Sequence, residues 1–234
     1  MMTTTLTQAF ADATRAMVSE HDVAGTVTAL LADCAGLTSA EALGVLIRSD
    51  DSGELDLLAA TSHQVAELEV YQRQRDIGPG PDTIRTGAQL VAGSPRDLVD
   101  RWGDVGEAIV AAGFSGVHSS PLRWQDHTFG ALNAFQRAPE HLDENALLVA
   151  QAFADMATIV IVNSTDLSRD GLDERIKVAL ESRVVIEQAK GVLADRHDVD
   201  MATAYQLLAR LAEREGSTLT STATAIVRTA SRHP

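Results

Sequence analysis

The apolar positions of this 234-residue chain change period along its length, and the changes mark its elements. Leu6, Phe10, Ala13 and Met17 recur at four-three-four spacing, and Val23, Val27, Leu30 and Cys34 resume that period after a break at His21-Asp22. Recurrence near 3.6 residues places these side chains on one face, which predicts two amphipathic helices. The apolar runs 42–47 and 55–60 flank Ser49-Asp50-Asp51-Ser52-Gly53, a composition that turns tightly, and so predict a hairpin. Residues 65–75 read as a helix. Gly78-Pro79-Gly80-Pro81 then breaks the chain ahead of a short helical stretch at 82–86 and a strand at 89–92. A helix over 101–112 precedes two strands, 116–123 and 128–136, which Trp124-Gln125-Asp126-His127 joins into a second hairpin.

The next helix, about 143–166, carries Leu142, Ala146, Val149, Phe153, Met156, Val160, Asn163 and Leu167 at alternating four and three. Such a stripe is the pattern of a coiled-coil seam, although packing on a sheet would also produce it. Ala150, Ala154, Ala157 and Ile161 form a second apolar stripe. With two faces available, one is expected to meet the sheet and the other a partner chain, giving a homodimer. After Gly171 a long helix runs over 172–196, followed by two shorter ones at 202–214 and 219–228. The order of elements implies an α+β fold, an antiparallel sheet with helices on one side, followed by an all-α unit.

Composition sharpens this division. Hydrophobic residues make up 45% of the chain and the formal net charge is -14, which by itself disfavours a phosphate-rich partner. From Leu172 onward, however, nine basic residues balance nine acidic ones, and both lysines of the chain, Lys177 and Lys190, lie there. All of the excess negative charge belongs to residues 1–171. A single cysteine, Cys34, excludes an intrachain disulfide and a thiolate zinc site. The N-terminus lacks a basic and apolar leader pattern, and the longest aliphatic run, 159–162, is too short to span a bilayer. A cytoplasmic protein without membrane contact is expected.

Two segments carry family resemblances. Asp76-Ile77-Gly78-Pro79-Gly80-Pro81-Asp82-Thr83-Ile84-Arg85-Thr86-Gly87, Gly113-Phe114-Ser115-Gly116-Val117-His118-Ser119-Ser120-Pro121-Leu122-Arg123 and Phe129-Gly130-Ala131-Leu132-Asn133-Ala134-Phe135 resemble GAF domains. In the tail, Ser182-Arg183-Val184-Val185-Ile186-Glu187-Gln188-Ala189-Lys190-Gly191-Val192-Leu193 is similar, almost letter for letter, to the central helix of ANTAR domains. The resemblances divide the chain into an N-terminal helix (1–19), a GAF-like sensor (20–166), a linker (167–171) and a three-helix ANTAR domain (172–230). ANTAR proteins are RNA-binding transcription antiterminators. The likeness therefore implies a regulator whose dimer traps two adjacent RNA hairpin loops while the GAF-like part answers a small-molecule or protein signal.

Within the tail, Ile186, Ala189, Leu193, Ala204, Leu207, Leu208, Leu211, Leu219, Ala223 and Ile226 have the spacing of a three-helix core. Arg183 and Lys190, seven apart, share a face where they can follow phosphates or simply meet solvent. Arg196 stands at a helix end, where its charge also suits the helix dipole. Tyr205 can stack on a base or fill the core. Arg210 stands one place beyond Ala209, where the family usually has arginine, and Gly216-Ser217-Thr218 replaces the basic residues common before the last helix. These departures remove two phosphate contacts, each worth about 0.7 in the salt slope on a single strand, and imply weak or dimer-dependent binding. Asp200 precedes the helix at 202–214 as an N-cap, so His197, Asp198 and Asp200 need no metal.

No catalytic set competes. Gly113-Phe114-Ser115-Gly116 lacks the spacing of a nucleophile elbow, no phosphate-binding loop occurs, and Asp50-Asp51 falls in a turn. His63, His118 and His127 stand singly. Neither enzymatic activity nor a cofactor is expected, and the ligand of the GAF-like part has no signature in the sequence. The alternative reading is a ligand or redox sensor whose C-terminal helices contact protein only.

Overall fold

The computed structural model describes residues 7–8, 11, 14, 22–38, 40–49, 53–138, 144–162 and 169–231. The expected helix of residues 1–19 falls outside the described residues except at four positions, as do Asp50, Asp51, Leu142, Asn163 and Leu167. Strands β1 (Ala42–Arg48), β2 (Leu55–Ala60), β3 (Leu90–Ala92), β4 (Gly116–Trp124) and β5 (His127–Gln136) form one antiparallel sheet in the order β2-β1-β5-β4-β3. Both expected hairpins are present. β1 pairs with β2 from Gly44 opposite Ala60 to Arg48 opposite Leu55, and β4 pairs with β5 around a turn in which Gln125 takes φ 53°.

Helices cover both faces of this sheet, not one. On the first face lie α1 (Val23–Leu37), α6 (Glu144–Val162) and the start of α7 (Arg169–His197); on the second lie α2 (His63–Arg75), α3 (Pro79–Thr86), α4 (Pro95–Trp102) and α5 (Asp104–Ala111). Two short helices, α8 (Met201–Glu215) and α9 (Leu219–Ala230), complete the chain. The reason for the two-sided cover is written in β1. Residues 42–47 are buried without alternation, as a strand must be when both its faces are packed.

Three local expectations change. Pro79-Gly80-Pro81 does not break the chain before a helix but forms the first turn of α3, where proline's missing N–H costs nothing. The helix expected over 101–112 is two helices, because Gly103 takes φ 52° and ψ -121°, which ends α4 and starts α5 at an angle. The expected linker 167–171 is helical from Arg169 onward, so α7 runs 29 residues, about 44 Å at 1.5 Å per residue.

The seam also turns inward. Phe153, Met156 and Val160 are buried in the same cluster as Ala154, Ala157 and Ile161, together with Val27, Leu30 and Leu31 of α1 and Leu172, Ile176 and Ala179 of α7. Among the described residues, the middle of both stripes is buried within the chain and Ala146 and Val149 are half-buried, while Leu148 and Ile159 of α6 are exposed, at 69% and 50%. By length and composition, residues 145–162 of α6 meet the requirement for crossing a membrane, which a search for an unbroken aliphatic run passes over. Here that apolarity is spent on the sheet, as in the core helix of a globular domain.

Candidate nucleic-acid interface and the polar core of the sheet domain

The C-terminal unit is built as the periodicity predicts. Ile186, Ala189, Leu193, Ala204, Leu208 and Ala223 are buried together, with Leu207, Leu211, Leu219 and Ile226 packed against them. Each short helix has its own stop and start. The Thr203 N–H donates to Asp200 Oδ1 at 2.7 Å, the N-cap expected at that position, and this bond holds the carboxyl below its usual range. Gly216 closes α8 at φ 61°, and Thr218 caps α9 by accepting from the Ser221 N–H at 3.1 Å. The departures from the expected basic pattern thus have structural duties. Gly216 and Thr218 are helix punctuation, and Ala209 is half-buried.

The five candidate RNA contacts fall into two groups. Arg196 and Arg210 are exposed. Arg183, Lys190 and Tyr205 are each partly covered. Lys190 Nζ donates to both oxygens of Glu187, at 2.8 and 2.9 Å, and its side chain is only 15% exposed. Arg183 lies on the other side of that carboxylate. Burial lowers its pKa, the charges of Glu187 and of Asp56 on β2 raise it, and Arg73 on α2 lowers it again. Arg183 and Lys190 do share a face, but Glu187 sits one turn from each, so the expected phosphate track has an acid at its centre. Tyr205 has its hydroxyl pushed up to about 12, first by burial and then by the negative charge of Asp22.

Asp22 was no candidate from the sequence. Its carboxylate caps α1 by accepting from the Gly25 N–H at 3.0 Å, and it also accepts from the Thr220 N–H at 3.0 Å and the Thr220 hydroxyl at 2.6 Å. One residue thus ties the start of α1 to the first turn of α9. Ala24, in the first turn of α1, is buried in the three-helix core itself.

The sheet-bearing half conceals a polar heart on its second face. Glu69 of α2 is fully buried and accepts from Asn133 Nδ2 at 2.9 and 3.0 Å and from Gln72 Nε2 at 2.8 Å. Gln72 Oε1 in turn accepts from the Gly80 N–H at 3.1 Å, and the Ser119 hydroxyl donates to Asn133 Oδ1 at 2.6 Å. This chain of bonds joins α2, α3, β4 and β5. It occupies its space closely, since a Cβ on Gly44 would lie 2.4 Å from Glu69 Oε1 and one on Gly80 would lie 2.8 Å from Asn133 Nδ2. Burial pushes Glu69 up to about 8, against the lowering effect of the Asn133 bond. On the opposite face His118 is buried beside the Ser120 hydroxyl at 3.2 Å, and desolvation pushes it down to about 4. Both groups are therefore neutral at pH 7.

The signal for the polar heart was present in the helical period. Val65, Leu68, Glu69 and Gln72 share one face of α2, so an acid and an amide stand where the pattern demands burial. Cys34 is buried too, and burial pushes its thiol up to about 12. At neutral pH it holds no thiolate with which to answer an oxidant. Among the described residues, no group of three or more His, Cys, Asp or Glu side chains is arranged to hold a metal ion.

No curated protein matches this chain. Among solved structures, the GAF domain of a phosphoenolpyruvate-protein phosphotransferase from Acinetobacter is similar with a TM-score of 0.52 at 10% identity, covering 70% of this chain and 100% of that one. The corresponding domain from Coxiella burnetii gives 0.51 at 16%, covering 67% and 92%. A phycocyanobilin-bound GAF domain from a cyanobacterial phytochrome gives 0.51 at 14%, covering 68% and 95%. At such identities the likeness is one of fold. Residues 174–227 match the family model of the ANTAR domain, spanning most of α7, all of α8 and most of α9. The chain joins a GAF-type fold to an ANTAR domain.

Proposed function

We propose that this protein is a signal-responsive transcription antiterminator, a cytoplasmic regulator without enzymatic activity, whose ANTAR domain binds paired RNA hairpins as a homodimer. The observation that carries this reading is the ANTAR match over a unit that folds as a capped three-helix core and leaves Arg196 and Arg210 in solvent. Cations of this kind attract the phosphates of a loop, and bivalent capture of two loops raises the effective concentration of the second. With the seam of α6 turned inward, the dimer draws on the exposed apolar positions Leu148 and Ile159. The GAF-like half supplies the response to a small-molecule or protein signal. A thiol-based redox response is disfavoured by the buried, protonated Cys34.

The test is a mobility-shift titration of full-length protein against an RNA with two adjacent hairpins, at several salt concentrations. Binding should weaken as salt rises, and Arg196→Ala and Arg210→Ala should each reduce the logarithmic salt slope by about 0.7. Absence of salt-sensitive binding at any concentration would remove this reading. It would leave a sensor whose C-terminal helices contact protein alone, a role with which the Glu187-neutralised Lys190 is compatible.

A further inference from the structure

Helix α1 has two packed sides. Val23, Val27, Leu30, Leu31 and Cys34 belong to the sensor core, while Ala24 is buried among Ile186, Ala189, Leu208 and Ala223 of the ANTAR core. Its leading residue, Asp22, accepts three hydrogen bonds, two of them from Thr220 at the start of α9. Bonds to an ionised carboxylate are roughly twice as strong as neutral ones. Tyr205, an aromatic side chain that could stack on an unpaired base, is half-buried near the same carboxylate. Along α7, Arg183 lies within electrostatic reach of Asp56 and Arg73 of the GAF-like half. Two of the five candidate RNA contacts, both partly covered, thus feel charges of the GAF-like half.

We propose that α1 is a strap holding the ANTAR domain closed against the sensor, with Asp22 as its latch on Thr220, so that RNA engages Tyr205 only when the latch opens. The proposal rests on the RNA-binding reading above and assigns the regulation of that site. It gives the sensor a physical route to its output. A signal that shifts α1 on the sheet breaks the Asp22 to Thr220 bonds and withdraws Ala24 from the three-helix core. Only a signal with different affinity for the latched and unlatched forms can move the balance between them.

The experiment uses full-length protein in a Tyr71→Phe background, which leaves Tyr205 as the only tyrosine. Thr220→Val removes one latch bond while retaining the Asp22 charge and its cap on α1, and Asp22→Asn weakens all three bonds. Two quantities are measured: the rate at which tetranitromethane nitrates Tyr205, and retention of the two-hairpin RNA. Faster nitration together with RNA binding tightened about tenfold, in the order Asp22→Asn above Thr220→Val, is the expected result, a factor of ten being typical of one bond to a charged group. Faster nitration with unchanged or weaker RNA binding overturns the gate, because Tyr205 would then be uncovered without consequence. Unchanged nitration overturns the latch. If nitration rises but neither parent nor variants bind RNA at low salt, it is the RNA-binding reading that has failed, and the gate falls with it.

Discussion

The two halves of the molecule bury opposite kinds of chemistry. The ANTAR core is aliphatic, and at its helix ends Asp200 and Thr218 satisfy backbone N–H groups that have no partner within the helix. The GAF-like half surrounds a connected set of carboxyl, amide and hydroxyl groups with two apolar clusters. An aliphatic core loses packing when one helix shifts on another, but leaves no polar group without a partner. In a buried hydrogen-bonded set, each displaced group loses a partner it cannot replace from water. The contrast predicts that displacement costs more in the GAF-like half than in the ANTAR unit. Helices α1 and α7, which contribute to both, are the links between them.

The largest test of that contrast asks whether the links make the halves unfold together. Leu208 is fully buried in the three-helix core, so Leu208→Ala should cost about 2–5 kcal/mol. The chain's two tryptophans, Trp102 and Trp124, both lie in the sensor. If α1 and α7 couple the halves, the denaturant midpoint read by tryptophan emission must fall in this variant although the mutation lies in the other half. A helical signal that melts early, with the tryptophan midpoint unmoved, would show two independent domains.

A smaller effect probes the polar heart through pH. Folded Glu69 holds its proton up to about 8, whereas the unfolded chain releases it near 4.5. Stability from this group is complete below 4.5 and is lost as pH rises through 8, because the unfolded form gains by ionising first. His118 works the other way: its folded value of about 4 lies below the unfolded 6.5, so its contribution is present above 6.5 and lost as pH falls toward 4. The two slopes oppose each other between 4.5 and 6.5. From 6.5 to 8 only Glu69 remains, and the protein should lose up to ~2 kcal/mol. Glu69→Gln, whose amide does not titrate, should show a stability that is flat over that interval. An unchanged slope would place the titrating group elsewhere.

How much of this was legible depended on whether a feature follows from period or from partnership. The three-helix core was readable because Ile186, Ala189 and Leu193 repeat on one face and bury for that reason alone. The hairpins and the Asp200 cap were readable because turn and cap chemistry is local. The stripe on α6 was readable as apolar but not as to what it would meet; a four-three repeat fits α1 as well as a second chain, and Phe153, Met156 and Val160 pack in the cluster that α1 shares. The second helical layer was implied by the unbroken burial of β1, which a strand exposed on one face would not show. Asp22 lies 198 positions from Thr220, and no local pattern could announce that pairing. Glu69 and Gln72 were visible as out-of-place polar residues on the buried face of α2, but Asn133, their partner across the sheet, was not.

The smallest energy belongs to an ion pair within one helix, and it bears most directly on RNA. Glu187 and Lys190 are three apart on α7, neighbours on the helix surface, and pairs of this kind contribute roughly 0.2–0.5 kcal/mol to a helix. Glu187→Gln should therefore leave the melting temperature nearly unchanged. Its effect on charge is larger than its effect on folding, because the same carboxylate lies beside both Lys190 and Arg183. Removing it frees Lys190 to meet a phosphate and removes a negative charge from the middle of the track. Affinity for the two-hairpin RNA should rise several-fold at low salt, and the salt slope should steepen by about 0.7 as one further phosphate is neutralised. Lys190→Ala added to Glu187→Gln should reverse the gain. If Glu187→Gln leaves the slope where it was, Lys190 is a structural cation bound to its own helix, and the RNA grip lies with Arg196, Arg210 and an uncovered Tyr205.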